Sequence, residues 1–150
     1  MTVPYRQQGG EADGSSLSQA DATGRGFLSL WHLSKRYLEA RYRAERYGRP
    51  FAVLVAEPAE GSGDAGTCKL RDWLYGRLRA SDASSMLDDG ACVVLLAETD
   101  AKGARSLALR MHGQIAGLRI GLSVYLEDGV TLEELIANAR PTSGPPKPAA

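Results

Sequence analysis

Apolar residues along this chain change period several times, and each change marks an element. From residue 27 to 47 they recur at intervals of three and four. Leu30, Leu33, Tyr37, Ala40, Ala44 and Tyr47 form one stripe and Phe27, Trp31, Leu38 and Tyr42 a second, which predicts a helix that Gly48 stops. Two stripes need two covers: one packs on a sheet, and the other is either core as well or a surface for a partner helix. Phe51 to Ala56 is a continuous apolar run of strand length, expected to be buried on both faces. Leu70, Trp73, Leu74 and Leu78 predict a second helix over about 67–79, and Ala104, Leu107, Ala108, Met111 and Ile115 a third over about 100–115. Between them, a short strand (83–87), a tight Asp-Gly turn and the apolar run Val93-Val94-Leu95-Leu96 read as a β-hairpin with a two-residue primed turn.

Further on, Leu118, Ile120, Leu122, Val124 and Leu126 alternate with Arg119, Gly121, Ser123 and Tyr125, the pattern of a strand with one buried face. Thr131-Leu-Glu-Glu134 is a capping box that opens a last helix over about 132–140. The order α-β-α-β-β-α-β-α predicts an α/β fold with a mixed central sheet flanked by helices. Residues 1–24 are polar and rich in Gly and Ser, and 141–150 are rich in Pro. Both are expected to be disordered tails around one domain at 25–140.

Lys and Arg number 18 and Asp and Glu 18, so the net charge is zero. Nothing global then argues for a nucleic-acid or membrane-surface partner, and any anion site must be local. Cys68 and Cys92 have no metal-ligand spacing and read as thiols in a reducing compartment. No stretch approaches the ~20 apolar residues of a membrane span, and Met1-Thr-Val-Pro-Tyr-Arg6 lacks the apolar segment of a secretory signal. A cytoplasmic location is expected. His32 and His112 lie on predicted helices without a serine or carboxylate at useful spacing, so nucleophilic catalysis finds no constellation.

The run Arg77-Leu-Arg-Ala-Ser-Asp82, five residues, the tip Asp88-Asp89-Gly90-Ala91-Cys92, and an apolar strand ending Leu95-Leu-Ala-Glu-Thr-Asp100 resembles the GGDEF (diguanylate cyclase) family. Arg46-Tyr-Gly-Arg-Pro-Phe-Ala-Val-Leu54 is similar to the entry of that family's first strand, Gly121-Leu-Ser-Val124 to a later strand, and Ala137-Asn-Ala-Arg140 to a reduced form of its closing phrase. The resemblance covers roughly 25–140 and implies a nucleotidyl-cyclase-like sandwich, truncated at its C-terminus. The tip that reads Gly-Gly-Asp/Glu-Glu-Phe in the family is degenerate here. The family's metal-binding strand end is replaced by Glu57-Pro-Ala-Glu60, and Gly61-Ser-Gly-Asp-Ala-Gly66 stands as a Gly-rich loop where the guanine-holding segment would be.

Condensing two GTP molecules needs carboxylates that hold Mg²⁺, and Gly90, Ala91 and Ala59 stand at such positions, with Glu57 alone keeping a carboxylate. The resemblance therefore implies a chain that is not an enzyme, with no catalytic residues, no metal and no cofactor. Arg79-x-x-Asp82 stands where many GGDEF domains bind cyclic di-GMP as an inhibitor, five residues before the signature, and the match puts Arg110 at the further arginine of such sites. Arginine offers a planar donor fork to phosphate and guanine, and aspartate accepts from guanine N–H groups. Two functions follow: a cyclic di-GMP receptor in bacterial signalling that binds through Arg79, Asp82 and Arg110, or a protein-interaction module, a homodimer or scaffold, that works through the first helix.

Overall fold

The computed structural model describes residues 27–141. The tail expected over 1–24 lies outside them, as does all but the first residue of the tail expected over 141–150. The elements are β1 (Phe27–Leu28), α1 (Leu30–Tyr47), β2 (Ala52–Glu57), α2 (Gly63–Tyr75), β3 (Ala83–Met86), β4 (Cys92–Leu96), α3 (Ala101–Gln114), β5 (Arg119–Val124) and α4 (Leu132–Ala139). They build one sheet in the order β1-β3-β4-β2-β5. β2 lies antiparallel to β4 and β5, β3 antiparallel to β4, and the two-residue β1 runs parallel to β3, which makes the sheet mixed. From β2 to β5 the chain is a split β-α-β repeated twice, so each crossover helix spans an inserted strand.

The central strands β2 and β4 are buried on both faces, as an uninterrupted apolar run requires. Side chains of a strand point alternately to either face. Ala52, Leu54 and Ala56 with Cys92, Val94 and Leu96 therefore meet α2 and α3 on one side, while Val53 and Val55 with Val93 and Leu95 meet α1 and α4 on the other. On that second side Phe51 stacks on Tyr125, ring centroids 4.7 Å apart. Full burial pushes the Cys92 thiol well above its ordinary pKa, whereas Cys68 is exposed on α2.

The ends of α1 and the start of α4 follow the sequence closely. Ser29 Oγ accepts from His32 N–H and Gly48, at φ 68°, donates to Ala44 O, closing α1 at both ends. The Thr131/Glu134 capping box is formed in full. Hydrogen bonds from Val130 and Thr131 N–H hold the Glu134 carboxyl below its ordinary pKa.

Four expectations differ from the structure. Phe27 is outside the first helix, because it and Leu28 pair with Ser84 and Ser85 and the helix opens only after the Ser29 cap. The second helix is shifted toward the N-terminus: Gly63 to Gly66 of the Gly-rich stretch are its first turn, and it stops at Tyr75 before Gly76, so Arg79 lies beyond its end. The hairpin has a three-residue loop. Gly90 N–H donates to Leu87 O and Leu87 N–H to Ala91 O, so Asp88 and Asp89 are the central turn residues and Gly90, at φ 90°, forms the bulge that rejoins the strands. β5 is buried on both faces. Gly121 and Ser123 turn toward α4 and Ser123 Oγ donates to Leu135 O at 2.7 Å, while Leu126 falls in the following turn and is exposed.

Small residues on that face let α4 approach closely. A Cβ on Gly121 would lie 2.0 Å from Ala139 O, a backbone atom that moves only with the helix. Gly121→Ala is therefore expected to destabilise the protein by the 1–3 kcal/mol or so typical of overpacking. Gly113→Ala, on α3 with open space around its added carbon, removes a helix-interior glycine and is expected to raise stability by up to about 1 kcal/mol. Urea denaturation of both variants checks this, and equal midpoints would show that α4 is not seated as described.

Candidate functional site

The turn after α2, the start of β3 and the end of β4 meet at Asp82. Its side chain is only 3 % exposed, and a buried carboxylate requires donors. It has four: Oδ2 accepts from Arg79 N–H and Arg79 Nε, and Oδ1 from Arg79 Nη2 and Ala97 N–H, all between 2.9 and 3.1 Å. That fills the acceptor capacity of a carboxylate. Arg79 Nη2 also donates to Ala97 O (2.7 Å) and Thr99 Oγ1 (2.8 Å). The bonds to Asp82 hold the Arg79 guanidinium above its ordinary pKa. The Arg79 side chain is nevertheless 56 % exposed, so one flank is fixed and the other faces solvent. Arg36 adds a clamp from α1, donating to Ala80 O and Asp82 O.

These residues form one wall of a cleft of about 460 Å³ that is also lined by Pro50, Leu78 and Leu107, and Arg110 of α3 stands on its other wall. Arg79, Asp82 and Arg110, 31 residues apart at the extremes, thus share one cavity of one chain. Its volume falls in the range of small-molecule sites. Three acids line the cleft, and all are engaged: Asp82 as above, Glu98 by Arg43 and Arg49, and Asp100 as the N-cap of α3, accepting from Gly103 N–H. Among the described residues neither Arg77 nor Arg110 of the cleft has an ion-pair partner. The uncompensated charge of the cleft is positive.

The hairpin tip is a separate place. Asp88 is exposed. Asp89 Oδ1 accepts from Ala91 N–H at 3.1 Å and its Oδ2 from Arg140 Nη1 at 2.8 Å, and these bonds hold its carboxyl below the ordinary pKa. The same Arg140 nitrogen lies 3.5 Å from Glu57 Oε2, and Arg119 Nη2 lies 3.1 Å from Glu57 Oε1. Gly90 and Ala91 bring no ligand and Cys92 points into the core. A divalent cation does not fit this donor set, because the two carboxylates that face each other already share a guanidinium. Sequence reasoning missed Arg140 and Arg119 here. Arg119 pairs with Glu57 across the β2/β5 register, which only the strand pairing reveals, and Arg140 lies 51 residues from Asp89.

On α1, the second stripe is uncovered: Trp31, Leu38 and Tyr42 are 62 %, 60 % and 56 % exposed. Lys35 lies 4.5 Å from the Trp31 ring centroid. Leu33, Tyr37 and Ala40 of the first stripe are core. Among the described residues no helix is long and apolar enough to cross a membrane.

No family model matches the sequence, and no curated protein matches it either. Solved structures do. A sensory box/GGDEF family protein from Caulobacter crescentus is 27 % identical with a TM-score of 0.64, the match covering 77 % of this chain and 89 % of that one. The GGDEF domain of YfiN (TpbB) from Pseudomonas aeruginosa is 21 % identical with a TM-score of 0.65, covering 75 % and 85 %. PelD from Pseudomonas aeruginosa, solved with c-di-GMP, is 21 % identical with a TM-score of 0.50, covering 71 % of this chain and 42 % of that one. The mixed α/β architecture described above is thus a GGDEF-like fold.

Proposed function

We propose that this chain is a catalytically inactive GGDEF-like domain that acts as a cyclic di-GMP receptor in bacterial signalling, binding through Arg79 and Arg110 with Asp82 as the residue that orients Arg79. One observation supports the reading: the three residues that the resemblance picks out line one cleft whose acids are all engaged, while Arg110 and one flank of Arg79 face it without a carboxylate. A cyclic dinucleotide carries two phosphates and two planar bases, which suits guanidinium forks. That PelD is solved with c-di-GMP supports the ligand class. Asp82 works indirectly, because its four acceptor sites are filled and its bonds fix the fork of Arg79 before any ligand arrives. Such preorganisation lowers the entropy lost on binding.

The interaction module is the second reading, favoured by the exposure of Trp31, Leu38 and Tyr42 on α1. Calorimetry with cyclic di-GMP separates the two. Wild type is expected to bind in the low-micromolar range. Arg79→Ala and Arg110→Ala each remove charge-assisted contacts of about 1.5–3 kcal/mol, hence roughly ten- to hundredfold in affinity. Asp82→Ala weakens binding as much as Arg79→Ala by releasing the fork, and Asp88→Ala binds as wild type. Absence of binding by the folded wild type favours the interaction module.

Catalysis gives a second test. Metal-assisted attack on an α-phosphate needs a divalent cation, and Glu57 and Asp89 hold a guanidinium instead. Incubation with GTP and Mg²⁺ or Mn²⁺, followed by chromatography, is expected to yield no cyclic di-GMP. Product above the level of a protein-free control overturns the inactive reading.

A further inference from the structure

The cleft wall holds one more arginine that the family resemblance does not single out. Arg77 lines the cleft with Arg79 and Arg110. Its guanidinium lies over the Trp73 indole, 4.3 Å from the ring centroid, and its Nη1 donates to the Trp73 carbonyl at 2.9 Å. Trp73 is itself anchored, buried against the sheet and donating from Nε1 to Gln114 Oε1 on α3 at 2.7 Å. An exposed arginine ordinarily samples many rotamers. This one is held by a ring and a carbonyl, with no carboxylate among the described residues to neutralise it.

A delocalised guanidinium is weakly hydrated on its faces and stacks on aromatic planes. One face of Arg77 is covered by Trp73, which leaves the opposite face and the remaining N–H groups. We propose that Arg77 is a ligand-binding residue of this cleft, which takes a purine base of the ligand on the face turned away from Trp73 to complete an indole, guanidinium and base stack. This rests on the reading of the cleft as a cyclic di-GMP site and adds a specificity element to it. Phosphate alone is served by Arg79 and Arg110; a preoriented flat cation selects ligands that also carry a planar base. Lysine cannot substitute, because a compact ammonium offers charge without a plane.

The chain has two tryptophans, Trp31 and Trp73, so Trp31→Phe makes indole emission report on Trp73 alone. In that protein cyclic di-GMP is expected to change the Trp73 emission saturably, with the affinity of wild type by calorimetry. Adding Arg77→Ala is expected to weaken binding about tenfold and to abolish the emission change at saturating ligand, and Arg77→Lys to abolish the emission change while recovering part of the affinity. Arg77 is exposed, so both variants should melt at the parent temperature. If Arg77→Ala keeps the parent affinity and emission change while Arg79→Ala loses binding, Arg77 has no part and the cleft reading stands. If the folded parent binds no cyclic di-GMP, both fall.

Discussion

A buried carboxylate that must find four donors is the constraint on which the cleft of this structure depends. Asp82 begins β3 from inside the protein, and satisfying it draws in the backbone of the turn after α2, the Arg79 side chain and the backbone that leaves β4. Three consecutive elements are pinned at one point, and the cleft opens where they meet. The geometry of Arg79 follows from this and does not need a ligand to create it. Ion pairs exposed to water contribute little to stability. Here one partner is out of water, so removing either member leaves the other's bonds to the backbone to carry the junction.

At the opposite end of β4 the chemistry is different. There a carboxylate on the hairpin tip and another at the end of β2 converge on a guanidinium from the end of α4. Arg140 supplies the positive charge that two facing acids require and ties the tip to the last helix. The two ends of β4 therefore divide the roles: one offers uncompensated cations to the outside, and the other has closed its charges among themselves.

Much of this was legible in the sequence. The helix and strand periods placed the layers, since a core-facing apolar stripe on each helix and doubly buried central strands permit few other arrangements. The family resemblance picked out Arg79, Asp82 and Arg110, and the local helix-hairpin-helix unit that holds them folds so that all three line one cleft. What spacing could not reach was set by pairing across the chain. The parallel contact of Phe27–Leu28 with β3, the burial of Gly121 and Ser123 under α4, and the bridge from Arg140 to Asp89 each join segments dozens of residues apart. The turn was misjudged for a local reason: Asp-Gly suits a two-residue turn, and here the preceding Asp88 joins the loop and Gly90 acts as the bulge. Arg77 had a signal, its place four residues after Trp73 within the predicted second helix, but charge and ring at that spacing are common on helix surfaces.

The two thiols give the molecule a built-in clock. Cys68 stands in solvent on α2, while Cys92 lies in the core at the start of a doubly covered strand, with its ionisation suppressed by burial. Thiolate is the reactive form. An alkylating reagent should therefore mark Cys68 at once and Cys92 only when the central strands part, so the lag between the first and second label measures how often the sheet opens.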